Sequence, residues 1–360
     1  MTHPPDPALA PPHVTRTPLW LASRRALSPP RRALILQPGG LGSVMLATPL
    51  LAALCRAFPE AQFDWAVDDA AAAAIAGNPR LRRVVRTGGP EAAALASRLR
   101  QDEYDTCFLP DRAGRLAGVA RRAGIPQRIG LAGNGLVSGP TLAVTPPPAA
   151  RHRAVAHLAL AAAVGVDEAL LAEVEAEFYP SDADRTAVTR WLVEELDWLG
   201  DSPLVLIHPG GVDLQRQPAD VRWPAVRFAR LANHLSRVHG ARIILLGGPD
   251  DREIAAAVAG MMAVPVANQA GRMGLGELGA LGEIAGLYVG NDVGPTHVAA
   301  AAGCPTLAIF GPTDPAVGAP YTRRAPVLAL GGATTAAGFS WETGVAVEQA
   351  AEAAARLLTG

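Results

Sequence analysis

Two doubly wound α/β domains are the architecture this sequence predicts, and three observations carry the prediction. Short apolar runs alternate with helical stretches in two separate series, the pattern of βαβ units around a mostly parallel sheet. Each series opens with a strand and a glycine-rich turn. In the first, Ala33-Leu34-Ile35-Leu36 precedes Gly39, Gly40 and Gly42, and in the second, Leu204-Val205-Leu206-Ile207 precedes Gly210 and Gly211. The length of 360 residues suits about two domains of ~150 residues each.

Residues 1–30 are rich in proline (Pro4, Pro5, Pro11, Pro12, Pro29 and Pro30) and read as a poorly ordered leader. The first domain is assigned to 31–180. After its opening strand a helical pattern runs from about Ser43 to Phe58. Strands at 62–67, 83–86 and 104–109 then alternate with helical stretches at 69–77, 90–100 and 112–123. A break at Pro146-Pro147-Pro148 precedes an Ala/Leu helix at 151–165. Tyr179-Pro180-Ser181-Asp182 links to a helix near 184–198. The second domain, 181–340, holds strands at 204–207, 242–246, 264–267, 287–289 and 306–310. A last helix, about 345–358, lies in the terminal segment 341–360.

Composition removes several function classes. The net charge of -1 argues against nucleic acid as a partner. All 32 basic residues are arginine, so neither a Walker A lysine nor Schiff-base chemistry is available. Cys55, Cys107 and Cys304 stand far apart without a C-x-x-C, which fits a reducing compartment and core packing rather than disulfides. No apolar stretch reaches the ~18 residues of a membrane span, and the N-terminus lacks the pattern of a signal peptide. Residues 1–180 hold 19 arginines against 15 acidic residues, and residues 181–360 hold 13 against 18. That asymmetry gives a weak preference for an anionic partner of the first half over chance variation.

The clearest candidate site is Val289-Gly290-Asn291-Asp292-Val293-Gly294-Pro295-Thr296-His297. A strand ends there, Pro295 suits a first helical turn, and the following helix stops at Gly303. A glycine-flanked helix N-terminus at a strand's carboxyl end is a natural diphosphate site, because free N–H groups and the helix dipole favour negative charge. The alternative is a plain turn in which Asp292 caps the helix. The segment alone leaves the two even. A second turn, His208-Pro209-Gly210-Gly211, leads through a polar loop to Val221-Arg222-Trp223-Pro224. Arg222 either neutralises a phosphate or lies on the surface, and Trp223 either anchors the loop or packs. A third turn, Gly247-Gly248-Pro249-Asp250-Asp251, offers acidic groups that either hold a ribose hydroxyl pair or favour the next helix. Three turns at one carboxyl edge converge where open α/β sheets bind ligands.

Other constellations fail. The first turn, Gly39-Gly40-Leu41-Gly42-Ser43, misses G-x-G-x-x-G because Met45 stands at the third glycine's place. Asp182-Ala183-Asp184 matches the D-x-D of metal-dependent sugar transferases, but follows Pro180-Ser181 as a helix start would. His152 and His157 have no carboxylate in ligand register, so no metal and no other cofactor is expected. There is no G-x-S-x-G for a serine hydrolase.

From residue 33 to about 332 the chain resembles glycosyltransferase family 9, the heptosyltransferases of lipopolysaccharide core assembly. The resemblance rests on His208-Pro209-Gly210-Gly211, Arg222-Trp223-Pro224, Leu246-Gly247-Gly248-Pro249, Gly271 with Leu275, Gly290 to Ala301, and Phe310-Gly311-Pro312-Thr313-Asp314-Pro315. Leu34 to Pro49, Phe63 to Val67 and Gly77-Asn78-Pro79 add to it. It implies a GT-B fold, two Rossmann-like domains facing a central cleft. It also implies an acceptor site in the first domain, a nucleotide-sugar site in the second, and a final helix crossing back to the first domain. The implied reaction is inverting, metal-independent transfer of a heptose-like sugar from a nucleoside-diphosphate sugar, ADP-linked by resemblance. The acceptor would be a glycan, a lipid-linked glycan or another anionic molecule. The implied location is cytoplasmic, with room for a peripheral contact at the inner face of the cytoplasmic membrane.

The donor-site candidates are Gly210, Gly211, Arg222, Asp251, Asp292, Val293, Gly294 and His297. Those on the acceptor side are Gly40, Gly42, Arg112 and Arg151. Three departures from the family pattern matter. Ser43 stands where the family has the aspartate that acts as base, and an unassisted hydroxyl is too weak a base. Val293 replaces a hydroxyl residue, and only Arg222 remains of the basic residues before Trp-Pro. Ser43 and Asp111, the latter following the strand that ends at Leu109, are therefore the candidates for catalysis. An acceptor already nucleophilic is a second way out. Loss of transfer, leaving a non-catalytic nucleotide-sugar-binding protein on this scaffold, is the main alternative function. An epimerase of the same shape ranks third.

Overall fold

The computed structural model describes residues 27–88, 92–111, 114–132, 140–211, 222–331 and 338–359. The chain divides into two units, Met1–Ala176 and Glu177–Gly360.

In the first unit, β1 (Arg32–Leu36), β2 (Gln62–Val67), β3 (Arg83–Arg86), β4 (Thr106–Leu109), β5 (Gln127–Leu131) and β6 (Leu142–Val144) form one sheet in the order β3-β2-β1-β4-β5-β6. All its pairings are parallel. Its helices are α1 (Leu41–Met45), α2 (Thr48–Ala57), α3 (Ala92–Arg100), α4 (Gly114–Arg122), α5 (Arg153–Ala162) and α6 (Glu168–Glu173). Leu34, Leu36, Cys107 and Leu109 share a core with Leu95 and Leu99 of α3 and Ala117 and Ala120 of α4. The alternate residues Ala33, Ile35 and Phe108 are buried as well, so both faces of the sheet are covered, as a parallel sheet requires.

Several elements differ from the sequence expectation. The helix expected over Ser43 to Phe58 breaks at Leu46-Ala47, because Pro49 cannot donate inside a helix and Thr48 Oγ1 donates instead to Met45 O at 2.8 Å. Residues 69–74 form a 3₁₀ stretch. Strands β5 and β6 were hidden by a polar start (Gln127-Arg128) and by a length of three residues.

The second unit repeats the plan. After α7 (Asp182–Glu194) come β7 (Leu204–His208), α8 (Ala225–His239), β8 (Arg242–Leu245), α9 (Arg252–Gly260), β9 (Ala267–Asn268), α10 (Leu275–Gly282) and β10 (Leu287–Asn291). They are followed by α11 (Gly294–Ala302), β11 (Thr306–Phe310), α12 (Pro315–Gly318), β12 (Val327–Gly331) and α13 (Val347–Thr359). The sheet order is β12-β11-β10-β7-β8-β9, again wholly parallel. In both units the order reverses between the first and fourth strands, which creates a switch point at their carboxyl ends.

The D-x-D segment is a helix start. Ser181 caps α7, and Asp184 accepts from the Ser181 N–H and hydroxyl at 2.8 and 2.6 Å. The last helix corrects its expected destination. Its apolar face, Ala350, Ala353, Ala354 and Leu357, enters the second unit's own core with Phe228, Leu231, Val289 and Ile309. Burial of that stripe against α8 and the sheet is what holds it there. No helix among the described residues is long and apolar enough to cross a membrane.

Candidate functional site

The second unit's site is built at the switch point between β7 and β10, where His208 and Gly290 are paired across the strands. Asn291, at the end of β10 and 3% exposed, organises it. Its Oδ1 accepts from the Trp223 N–H at 3.0 Å, and its Nδ2 donates to Pro209 O and Gly210 O at 3.0 and 3.1 Å. One amide thus ties the turn after β7 to the segment that leads into α8. Trp223 is fully buried, stands edge-on to Phe228, and donates through Nε1 to Val345 O at 2.8 Å. Anchoring of Trp223 fixes its neighbour Arg222, whose Nε is buried without a partner among the described residues.

Helix α11 opens at Gly294 with Pro295 in its first turn, and no side chain caps it. Asp292 is not the cap. Its carboxylate accepts from Thr313 Oγ1 at 2.9 Å and lies 3.8 Å from His297 Nε2. Val293 is the residue preceding the helix, in extended conformation, so it offers backbone and a methyl group. Thr296 Oγ1 donates to Asn291 O at 2.6 Å, which locks the turn to the end of the strand. His297 sits in the first helical turn, 5% exposed, and its Nδ1 is buried without a partner among the described residues. His208 Nδ1 is in the same condition. Buried polar groups are normally bonded, and unpartnered ones gathered at a helix N-terminus mark a place where a ligand's acceptors fit.

Asp251 has a structural role at this site. The sequence leaves it between a ribose hydroxyl pair and the start of the next helix, and in the structure its carboxylate holds the loops together. It accepts from Gly211 N at 2.7 Å, Gly248 N at 2.8 Å and His208 Nε2 at 3.2 Å. Burial alone would raise its pKa. The hydrogen bond and charge of His208, with the two backbone N–H groups, outweigh burial and hold it down to about 2. Gly210 and Gly211 follow from this packing. A Cβ on Gly210 would overlap the Asp251 carboxyl. Gly211 has φ +89°, and a Cβ there would lie 2.7 Å from both His208 Cε1 and Val293 Cγ2.

The first unit assembles its own cluster at the matching switch point, past β1 and β4. The turn Gly39-Gly40 leads into α1, with Gly40 exposed and the Gly42 carbonyl taken by Leu46 N. Ser43 and Asp111 flank Gly39. A Cβ built on Gly39 would stand 3.5 Å from both Ser43 Cβ and Asp111 Oδ2. Gln37 Nε2 donates to Ser43 O at 3.1 Å and reaches Asp111 Oδ1 at 3.4 Å. Burial raises the pKa of Asp111, and the Gln37 hydrogen bond and the charge of Arg153 oppose it. So the cation that acts on Asp111 is Arg153. Arg151, expected on the acceptor side, is exposed at the turn before α5, and Arg112 lies outside the described residues. Sequence reading missed Gln37, Arg153 and Thr313, and saw Asn291 only as part of its turn, since each acts through a residue distant in the chain. No group of three or more His, Cys, Asp or Glu side chains that could hold a metal ion occurs among the described residues.

Comparison with known proteins agrees with this architecture. Lipopolysaccharide heptosyltransferase 3 of Escherichia coli K12 is 24% identical over 306 residues, which cover 79% of this chain and 83% of the relative. The crystal structure of a family 9 glycosyltransferase from Veillonella parvula matches with TM-score 0.76 at 22% identity, covering 91% of this chain and 97% of that one. The structure of E. coli ADP-heptose lipopolysaccharide heptosyltransferase II matches with TM-score 0.74 at 22% identity, covering 91% and 98%. These likenesses identify the fold as GT-B. The model of glycosyltransferase family 9 (heptosyltransferase) matches residues 92–341, and the chain belongs to that family.

Proposed function

We propose that this glycosyltransferase, which draws on a nucleotide-sugar donor, moves a heptose-like sugar from an ADP-sugar to a glycan or lipid-linked acceptor. The transfer inverts the anomeric centre and needs no metal ion. The observation that carries the reading is the uncapped start of α11, together with His297 and Arg222 nitrogens that have no partner among the described residues. There the helix dipole and N–H groups, His297 and Arg222 take up the charge of the donor's two phosphates. The Asp292 carboxylate, bonded to Thr313, orders the rim of this site rather than binding phosphate itself. The ADP-heptose named for the E. coli relative supports an ADP-sugar here.

Asp111 is the candidate base. An acceptor hydroxyl attacks the anomeric carbon, the bond from that carbon to the diphosphate oxygen breaks, and the hydroxyl proton passes to Asp111. The nucleoside diphosphate leaves with the bonding pair. A carboxylate raised in pKa by burial is a better proton acceptor than an ordinary one. Its place beside Ser43 favours transfer over the non-catalytic reading. Calorimetry with ADP tests the donor half, and His297→Ala should weaken binding by about tenfold, the worth of a single charge-assisted hydrogen bond. Unchanged affinity would remove His297 from the site. In Asp111→Asn, release of ADP from ADP-heptose should fall by about a hundredfold or more while ADP affinity holds.

A further inference from the structure

We propose that Gln37 is a positioning residue that sets the orientation of the Asp111 carboxylate. The inference rests on the reading of Asp111 as base. Gln37 is the first residue past β1 and is 0% exposed. Its main-chain N–H donates to Ala66 O at 3.0 Å, which fixes its backbone to β2. Its side-chain amide has two N–H groups, and the two acceptors in reach are Ser43 O and Asp111 Oδ1. A single amide therefore joins the turn after β1 to the loop after β4, on the two strands that part at the switch point.

Packing alone does not explain a glutamine here. Its Oε1 is buried without a partner among the described residues, a cost that a methionine of similar volume would avoid. Among the described residues, the groups that face Asp111 are Gln37 from the turn after β1, Ser43 from α1 and the positive charge of Arg153 from α5. Gln37 supplies the hydrogen bond among these, and Arg153 acts through its charge. A bond donated to the ionised carboxylate favours that form and lowers its pKa, against the burial that raises it. Removal of Gln37 must therefore move the titration of Asp111 upward.

The test is a ¹³C NMR titration of the full chain labelled at aspartate carboxyl carbons, with Asp111 assigned by the resonance missing from Asp111→Asn. In Gln37→Met the Asp111 midpoint should rise by about half to one pH unit, the worth of one hydrogen bond to a carboxylate. An unmoved or lowered midpoint overturns the proposal. Gln37→Glu, of the same shape, covers the case in which the methionine variant does not fold. A second carboxyl beside Asp111 should split the titration into two steps, the upper one above the wild-type midpoint. A single unmoved step overturns the proposal in that variant too. Failure of the base reading registers separately, as unchanged ADP release from ADP-heptose by Asp111→Asn.

Discussion

Replacing Asp251 by asparagine tests the loop clamp of the second unit directly. The carboxylate accepts three hydrogen bonds, from Gly211 N, Gly248 N and His208 Nε2. Asparagine has one acceptor oxygen, so at least one of these donors must face its NH₂ group. In the native protein the carboxyl is held at about 2 instead of 3.8. A full conversion of that shift gives about 2.5 kcal/mol, and partial screening brings the expectation to about 2 kcal/mol. The sign follows from the depressed pKa: the stabilisation is complete above the unfolded value near 4 and disappears as pH falls through about 2. Amide hydrogen exchange on peptides covering Gly211 and Gly248 reads the clamp locally. At pH 7 the variant should exchange about thirtyfold faster at both glycines, the factor that about 2 kcal/mol implies. Urea unfolding should show a deficit of similar size at pH 7 and about half of it at pH 3. Exchange within threefold of wild type, or a deficit identical at the two pH values, refutes the reasoning.

Three further outcomes follow from the structure. Gly211→Ala puts a Cβ at φ +89° against His208 and Val293, so ADP affinity measured by calorimetry should drop by at least about tenfold. Tyr104→Phe removes the buried hydroxyl that donates to Asp64 Oδ2 at 2.6 Å, beside the more exposed Arg82 and Arg83 that pair with the same carboxylate. It should cost about 1–2 kcal/mol, read as a lower Tm with ADP affinity unchanged. His157 is buried, its Nδ1 lies 3.0 Å from Leu46 O, and burial pushes its pKa down to about 4. The folded chain keeps it neutral where the unfolded chain protonates it. Stability should thus be whole above about 6.5 and fall by about 2–3 kcal/mol as pH drops to 4. His157→Gln should flatten that part of the urea-midpoint profile.

The division into two α/β units was legible because alternation of strand and helix is a local pattern, and local patterns survive in one dimension. The turn from Gly290 to His297 was legible for the same reason: glycine, proline and the strand before them announce it within nine residues. The strands that escaped were those whose hydrophobic signal is short or interrupted, namely β5, β6 and β12. The candidate site was read less completely. Asp111 could be flagged as a carboxylate after a strand, but not its position beside Ser43, because that depends on β1 and β4 being neighbours. The clamp made by Asp251 was not legible, because a sequence shows the charge and hides the amides that consume it. Arg151 and Arg153 differ by two positions, and only the path of the chain into α5 decides which charge acts on Asp111.

The amide of Asn291 grips the chain just before residue 211 and again at 223. Both anchor points are fastened to the end of the same strand. Loss of that one amide would therefore release two separate stretches of chain at once. Position 291 should tolerate change less than any one of its hydrogen bonds would suggest.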